Sequence, residues 1–255
     1  MNTEYFVNKH SIVRKIWGKA DTVLFIFAGS AAEFALNKAV DWLYYTGRLP
    51  ADPLDRLFST VAYSRTILFA DKQTALQAIT KITAIHKGIE QNRGTNIPDW
   101  AYRDVLFMLI DYSIRSFELL ERKLTAGEKE EVFAVFHRMG IYMGLNGLPA
   151  DYAEWLIMRK AHLHDNLLRT NLTDDLYRQY KKHLGWQRYN ILLLVQAVLV
   201  PRVVNRQLNL GRGLALLPIL SIYKLIRAVK IAVVVKEALL PRKYKAQITQ
   251  MDIAV

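Results

Sequence analysis

Residues 52–69 read DPLDRLFSTVAYSRTILF, and after one alanine residues 71–93 read DKQTALQAITKITAIHKGIEQNR. In both segments apolar residues recur at spacings of three and four, which is the repeat of a helix with one buried face. Asp52 stands before Pro53, and an N-cap acid followed by proline at the first helical position predicts that a helix begins there. The pattern therefore predicts two consecutive helices.

The same periodicity continues along the rest of the chain, and we find no sustained alternation of period two with hairpin turns between runs. The segment Thr125-Ala126-Gly127-Glu128 matches a capping box, and Pro98 and Pro149 open two further segments. We predict an all-α fold, a multi-helix bundle. The predicted helices are about 11–28, 30–45, 53–69, 72–91, 99–121, 126–144, 150–169, 174–184, 187–207 and 213–239.

Composition limits what such a bundle does. The chain has 255 residues, is about half hydrophobic and lacks a Pro/Gly/Ser-rich linker, so we expect a single domain over residues 1–255. The absence of cysteine excludes disulfides, thiolate zinc sites and iron–sulfur clusters. A glycine-rich phosphate loop, a His-Glu-x-x-His pair and a Gly-x-Ser-x-Gly elbow are also missing, which disfavours nucleotide hydrolysis, zinc proteolysis and α/β-hydrolase chemistry.

The formal net charge of +12 is concentrated near the C-terminus. Residues 186–245 contain eleven Lys and Arg against one acid, Glu237, and therefore carry +10 of that charge. A basic and apolar C-terminal helical segment, at about 187–245, suits an anionic membrane surface, a nucleic acid, or a helix pair packed with its cations outward. Because long Leu and Val runs interrupt the charges and no nucleic-acid-binding motif is present, we do not expect a nucleic-acid partner.

A membrane span is not predicted either. The longest charge-free run in the basic segment, Tyr189–Pro201, has 13 residues, whereas a helix needs roughly 20 mainly apolar residues to cross the hydrocarbon. The N-terminal residues lack the basic-then-apolar order and the cleavage site of a secretory signal. We expect a cytoplasmic or peripherally membrane-associated protein.

Among the six histidines, His86 differs from the others because it falls on an apolar helix face. Two interpretations remain open for it: a haem ligand in a dry pocket, or a core histidine whose ring nitrogens bond to a carbonyl or water. The remaining five are interpreted as surface or hydrogen-bonded histidines, and His162 and His164 point too far apart on a helix to hold one metal ion together.

A second set of polar residues lies on the preceding helix. Arg56, Thr60 and Tyr63 share one stripe of that helix, with Ser59 at its margin. Facing a cavity, these groups would supply charged, hydroxyl and phenol donors to a bound group. The alternative is that Arg56 pairs with the acids at the helix start and that Tyr63 belongs to the core.

These residues occur in a recognisable order. Asp52 to Tyr63, followed about twenty residues later by Ile85-His86-Lys87-Gly88-Ile89, resembles the family that contains the fungal oxygenase MpaB and the bacterial rubber oxygenases, the latex clearing proteins. Upstream, Phe27-Ala28-Gly29-Ser30-Ala31-Ala32 resembles the small-residue motif of this family. The downstream motifs look most like the MpaB branch: Leu124-Thr125-Ala126-Gly127-Glu128, Met139-Gly140-Ile141-Tyr142-Met143-Gly144-Leu145, Leu148-Pro149-Ala150-Asp151-Tyr152 and Thr170-Asn171.

The resemblance implies an all-helical bundle around a buried haem b, with His86 as the ligand of the iron. It implies that Arg56 and Thr60 are the catalytic groups on the distal side and also contact the cofactor; we add Tyr63, on the same stripe, to the cofactor-binding set. Ser59 stands where rubber oxygenases have a lysine that binds the iron, which argues against rubber as the substrate. Asp41 lies near the position of their glutamate base, but the match is too loose to transfer that role.

The function expected from the sequence is therefore a haem-dependent oxygenase that uses molecular oxygen to cleave a carbon–carbon double bond in an apolar, isoprenoid-like molecule. The alternative is a helical protein without enzymatic activity that docks on anionic membranes through its basic C-terminal segment.

Overall fold

The computed structural model describes residues 4–47, 51–213 and 218, and at residues 54 and 56–58 it describes the backbone only. The described residues form helices and no strand, which confirms the all-α prediction. The named helices are α1 (Ile12–Trp17), α2 (Ala20–Leu36), α3 (Val40–Tyr45), α4 (Pro53–Phe69), α5 (Lys72–Arg93), α6 (Asp99–Leu120), α7 (Ala126–Tyr142), α8 (Tyr152–Asp165), α9 (Asn171–Leu199) and α10 (Arg202–Leu208).

The helix starts follow the capping residues. The Asp52 carboxylate accepts a hydrogen bond from the Asp55 N–H at 3.1 Å, with Pro53 in the first turn, and the Asp71 carboxylate accepts from the Thr74 N–H at 2.9 Å. These two N-caps begin α4 and α5, which pack against each other. The predicted capping box is also confirmed, because Thr125 and Glu128 bond reciprocally at 3.2 and 2.9 Å. Caps of this kind satisfy N–H groups that the helix leaves unbonded.

The predicted helix boundaries near the N-terminus are wrong. In place of helices 11–28 and 30–45, the chain breaks after Trp17 and again after Leu36. Gly18 ends α1, its N–H donating to the Arg14 carbonyl at 2.8 Å. Asn37 takes an extended conformation while its side chain accepts a hydrogen bond from the Ala39 N–H and donates one to Asp104. Side-chain bonds of this type compete with helix continuation, and the apolar periodicity does not reveal them.

Near the C-terminal end of the described range, one predicted break is present and another was missed. Gly185, at φ 74°, interrupts the helical geometry within α9, as the predicted division between 174–184 and 187–207 requires. The predicted helix 187–207 is itself divided at Pro201, which has no N–H to donate and restricts the preceding residue. The predicted helix 213–239 lies outside the described residues, apart from Gly213 and Pro218.

Helix α2 occupies the centre of the bundle and packs most extensively against α6 and α9. It is buried around most of its circumference, which is the position that a helix apolar on all sides requires. Four aromatic residues of α6 and α7 belong to the packed core, where their rings contact other rings or, for Tyr112, a buried carboxylate. They are Phe107, Tyr112, Phe133 and Phe136.

The basic C-terminal segment is described only as far as Gly213, so most of its predicted charge lies outside the described residues. Its described part is integrated into the bundle, since Val195, Leu199 and Val204 are buried. Within residues 4–47 and 51–213, no helix combines the length and the apolar character needed to cross a bilayer. The single-domain assignment stays a prediction.

Candidate functional site

A cavity of about 880 Å³ lies between the central helix α2 and the pair α4 and α5, with further walls from α3, α6 and α9. Its walls are mainly aliphatic and aromatic side chains, among them Phe27 and Phe34 of α2 and Ile82, Ile85 and Ile89 of α5. A volume of this size is within the range of small-molecule and cofactor sites, and such sites are usually apolar with a few polar groups.

Three of the four predicted site residues lie on the wall of this one cavity. They are His86 from α5 and Thr60 and Tyr63 from α4. Helix geometry alone placed Thr60 near Tyr63, but only the packing of α4 against α5 brings both residues to the same space as His86. His86 is the only histidine among the described residues that line the cavity.

The fourth predicted residue, Arg56, lies in α4 one turn before Thr60, and its side chain is outside the described part of the chain. Ser59 is half-buried, and it is not among the described residues that line the cavity. Tyr63 also faces α5, since the Lys81 ammonium lies 5.9 Å from the centre of the Tyr63 ring.

The apolar arc that contains His86 is divided between two environments. Ala75, Ala78 and Ile79, in the first half of α5, are buried in the core. Ile82 and Ile89 line the cavity together with His86. His86 therefore stands where this helix face passes from packed core to open space, and not within the core itself.

Residues of the α5–α6 junction lie next to His86, and the sequence patterns did not indicate a role for them. The Tyr102 ring meets the His86 ring edge to face, with centroids 5.3 Å apart and an angle of 72° between the planes. The Tyr102 hydroxyl donates to Glu90 Oε1 at 3.2 Å, and the Ile97 N–H donates to the same oxygen at 2.9 Å. Burial raises the pKa of the Tyr102 phenol, as does the neighbouring Glu90 carboxylate, so the phenol stays protonated and remains a donor.

A cation fixes the α3 side of the cavity. Arg93, at the end of α5, donates to the Asp41 carboxylate at 2.7 Å, and its guanidinium lies 4.0 Å from the centre of the Trp42 ring. Trp42 and the neighbouring Tyr45 line the cavity. Asp41, which lies near the position of the rubber oxygenases' glutamate base, is thus paired with Arg93. It is not among the described residues that line the cavity.

Behind the cavity wall, a buried network of charged groups joins α2, α6 and α8. Glu33 is fully buried and bonds to Arg159, with Arg159 Nη2 2.6 Å from Glu33 Oε2. The same Arg159 nitrogen lies 2.8 Å from Asp111 Oδ2, and the Tyr112 hydroxyl donates to Glu33 at 2.8 Å. Since Glu33 lies one turn after Ser30 of the cavity wall, this network fixes the helix that forms that wall.

His162 extends the network to a third carboxylate. Its Nε2 lies 2.8 Å from Glu33 Oε1 and its Nδ1 lies 2.6 Å from Asp104 Oδ1. Carboxylate oxygens only accept hydrogen bonds, so both ring nitrogens donate and the imidazole is positively charged. Burial lowers the pKa of His162, but the hydrogen bonds and charges of Asp104 and Glu33 outweigh it, and the net result is a raised pKa.

The two cations keep Glu33 ionised in a dry environment. Burial by itself raises the pKa of Glu33, whereas the charge and hydrogen bonds of Arg159, together with His162, lower it to about 2. For Arg159 the balance is similar: burial lowers the pKa, and Glu33 and Asp111 raise it well above its ordinary value. Buried charges of this kind are tolerated only when each one has a partner.

The sequence contains a signal for this network on α8, although the interpretation of His162 above did not predict a buried charge cluster. Trp155, Arg159 and His162 have spacings of four and three and lie on one face of α8, and all three are buried. Because Arg159 shares a helix face with Trp155, that face of α8 is either half-exposed or contains a buried ion pair. His162 was interpreted as a surface or hydrogen-bonded histidine, and the structure shows the hydrogen-bonded case.

The residues of the cavity wall fit a haem b. An imidazole nitrogen is an accepted axial ligand of haem iron, and His86 presents an imidazole at the wall. The flat macrocycle requires apolar walls, which the aliphatic and aromatic lining provides. Within the described part of the chain, no group of three or more His, Asp or Glu is placed to hold a metal ion.

The fold and the site together define an all-helical protein with a mainly apolar, cofactor-sized cavity and one histidine on its described wall. Residues 16–229 match the family model described as the ER-bound oxygenase mpaB/B'/rubber oxygenase, catalytic domain, and the chain belongs to this oxygenase family. It is thus assigned, at the level of the family, to the oxidoreductases. Searches of curated proteins and of solved structures gave no significant match.

Proposed function

We propose that this protein is a haem b-dependent oxygenase that cleaves a carbon–carbon double bond of an apolar, isoprenoid-like molecule with molecular oxygen. The observation that carries the proposal is the convergence of His86, Thr60 and Tyr63 on one mainly apolar cavity. Family membership supplies the oxygenase class, and the haem and the substrate class are inferred from the donor set and from the apolar walls.

In this proposal the His86 imidazole would hold the haem iron, and the haem, when bound, would supply the activation of oxygen. Thr60 holds a hydroxyl donor on the α4 side of the cavity, where it orients the reacting molecule by a hydrogen bond. Tyr63 contacts the cofactor from the same helix. Arg56, one turn earlier in α4, is proposed as the cationic partner of a cofactor carboxylate or of the developing charge. The aliphatic walls exclude water from the reacting bond.

The reaction balances without another reductant. One molecule of oxygen adds one atom to each carbon of the double bond, the oxygen–oxygen and carbon–carbon bonds break, and two carbonyl groups form. An apolar substrate loses its hydration on entry to the cavity, and that desolvation contributes roughly 25 cal/mol per Å² of apolar surface buried. Substrate recognition is therefore expected to depend on shape and apolar area more than on charge.

The proposal is tested by absorbance spectroscopy of the purified protein, with added haem, as isolated and after dithionite. The wild type should show a Soret band that shifts on reduction, and His86→Ala should lose it. His137→Ala is the matched control, since His137 is half-buried and stacks on Phe133 away from the described cavity lining. A folded wild type that shows no Soret band after haem addition would refute the proposal. Incubation of a linear isoprenoid with ¹⁸O₂ should label both carbonyl products.

A peripheral membrane contact is proposed as the route by which an apolar substrate arrives. Four large apolar side chains line the cavity and are nevertheless exposed: Tyr45, Ile85, Val105 and Ile191, at 37 to 48 %. An apolar cavity that reaches the surface through such residues suits transfer of a molecule from a bilayer. The basic segment supplies charge of the sign that anionic lipid attracts, at about 1 kcal/mol for each cation near the surface.

This contact is tested by co-sedimentation with vesicles that contain anionic lipid, at low and high salt. Replacement of every Lys and Arg of residues 224–245 by Gln should abolish binding at low salt, and neutral vesicles serve as the control. Truncation should not begin at residue 187, because Val195, Leu199 and Val204 are buried in the bundle. Equal binding to neutral and anionic vesicles would contradict the proposed charge attraction.

A further inference from the structure

The rings of His86 and Tyr102 are in contact across the α5–α6 junction, which closes one side of the cavity. Their edge-to-face arrangement, at 5.3 Å and 72°, is one that aromatic rings prefer. Both residues line the cavity, so the Tyr102 ring contacts the imidazole at the site where the proposed axial ligand stands. Neighbouring side chains limit how the His86 ring can rotate about its side-chain bonds. Tyr102 is one such neighbour, and it comes from a different helix, α6.

Tyr102 is itself held in place by a connection that returns to α5. Glu90, one turn after His86, accepts hydrogen bonds from the Tyr102 hydroxyl and from the Ile97 N–H through the same oxygen. The chain between them turns at Gly94, whose φ of 72° lies in the left-handed region and whose N–H donates to the Glu90 and Gln91 carbonyls. The Glu90 side chain therefore joins the end of α5 to the start of α6.

We propose that Tyr102 is a positioning residue that fixes the imidazole plane of His86 toward the cavity, and that Glu90 holds Tyr102 in position for this purpose. The proposal rests on the proposed function, because the orientation of the His86 ring matters for function only if His86 binds the haem iron. Partners that orient a metal-binding histidine typically change metal affinity about 10- to 100-fold when they are removed. Neither residue is assigned contact with the reacting atoms.

The first measurement needs no haem. In the ligand-free protein, three-bond couplings of the His86 side chain, assigned by comparison with His86→Ala, should report a single rotamer. Tyr102→Leu removes the ring while it keeps apolar volume, and it should give couplings averaged over two or more rotamers. Tyr152→Leu is the matched control, because Tyr152 is also half-buried and in ring contact, with Trp155 and Phe133, outside the described cavity lining.

The second measurement is haem affinity, followed by titration of the Soret band. Tyr102→Leu should weaken haem binding about tenfold, and the control Tyr152→Leu should stay within about twofold of wild type. Tyr102→Phe keeps the ring but loses the bond to Glu90, and should weaken binding about threefold. Glu90→Gln keeps an oxygen that accepts both hydrogen bonds and should behave as wild type, whereas Glu90→Ala should resemble Tyr102→Phe.

The outcomes are distinguishable from failure of the proposed function. If His86→Ala binds haem as tightly as wild type, the proposed function fails, and the coupling measurement alone then decides whether Tyr102 orients the ring. If His86→Ala loses haem while Tyr102→Leu keeps a single rotamer or wild-type affinity, the positioning proposal is overturned. If Tyr102→Leu does not fold, Tyr102→Phe and Glu90→Ala test the positioning proposal instead. Wild-type haem affinity in both of these variants overturns the proposal.

Discussion

Gly29 and Tyr112 are in contact so close that no larger residue fits at position 29: a Cβ there would lie 2.3 Å from Cδ1 and 2.4 Å from Cε1 of the Tyr112 ring. Gly29 belongs to α2 and Tyr112 to α6, the two helices with the most extensive contact in the described bundle. Tyr112 cannot easily withdraw, because it is fully buried and its hydroxyl donates to Glu33. The small residue sets the separation between the two helices.

Gly29→Ala should therefore destabilise the protein by about 1–3 kcal/mol, since overpacking forces side chains off their preferred rotamers or moves the backbone. Gly88→Ala is the matched control, because Gly88 also lies within a helix but a Cβ there meets nothing within 4 Å. That change should stabilise the protein by about 0.5–1 kcal/mol through helix propensity. Urea unfolding measures both, and equal effects of the two substitutions would show that the contact with Tyr112 is unimportant.

Arg159→Met should cost about 3–5 kcal/mol of unfolding free energy, because it leaves Glu33 and Asp111 without the cation they share. Arg169→Met is the control, since Arg169 pairs with Asp174 where both side chains are more than 40 % exposed. An exposed pair contributes less than about 1 kcal/mol. Urea unfolding measures both variants. Similar losses of unfolding free energy for Arg159→Met and Arg169→Met would contradict a stabilising role for the buried network.

His162 should make stability depend on pH in a defined direction. Its folded pKa is raised above the unfolded value of about 6.5, so its contribution is fully present below that value and is lost as pH rises through the folded pKa. The groups that face it are Glu33 from α2 and Asp104 from α6, with Asn166 near the end of its own helix.

The measurement is the difference in unfolding free energy between wild type and His162→Gln, from about pH 6 to about pH 9. The advantage of the wild type should shrink as pH rises. His164→Gln is the control, because the His164 side chain is 87 % exposed and its pairing with Asp165 is solvated. An advantage of constant size across this range would mean that His162 is not charged in the folded protein.

Thr60→Val should slow turnover about tenfold or more, because it removes a hydroxyl donor from the cavity wall while it preserves shape. Thr66→Val is the control in the same helix, since Thr66 is exposed and its hydroxyl donates to the Ala62 carbonyl. Oxygen consumption with a saturating isoprenoid measures the effect. Wild-type turnover by Thr60→Val would remove Thr60 from the proposed catalytic set.

The sequence predicted the helical class and much of the organisation around the site. The Asp52-Pro53 start of α4 and the capping box at Thr125 are confirmed because capping chemistry is local and readable from neighbouring residues. The breaks at Gly18 and Asn37 were missed. The break at Asn37 depends on a side-chain bond to Asp104, a partner far away in the sequence.

For the site, helix periodicity put Thr60 and Tyr63 on one stripe and His86 on an apolar face, and the family order of these residues suggested that they belong together. That they line one cavity follows only from the packing of α4 against α5. The role proposed here for Tyr102 could not be read from the sequence, because its contact with His86 depends on where the Gly94 turn directs the start of α6.

What the sequence alone determined is local: where helices start, which faces are apolar and which residue types are available for chemistry. That Glu33, Asp104 and Asp111 share Arg159 and His162 in the dry interior follows from the packing of the helices. Burial and charge pairing are properties of groups brought together from α2, α6 and α8, and the repeat of a single helix carries no information about its partners.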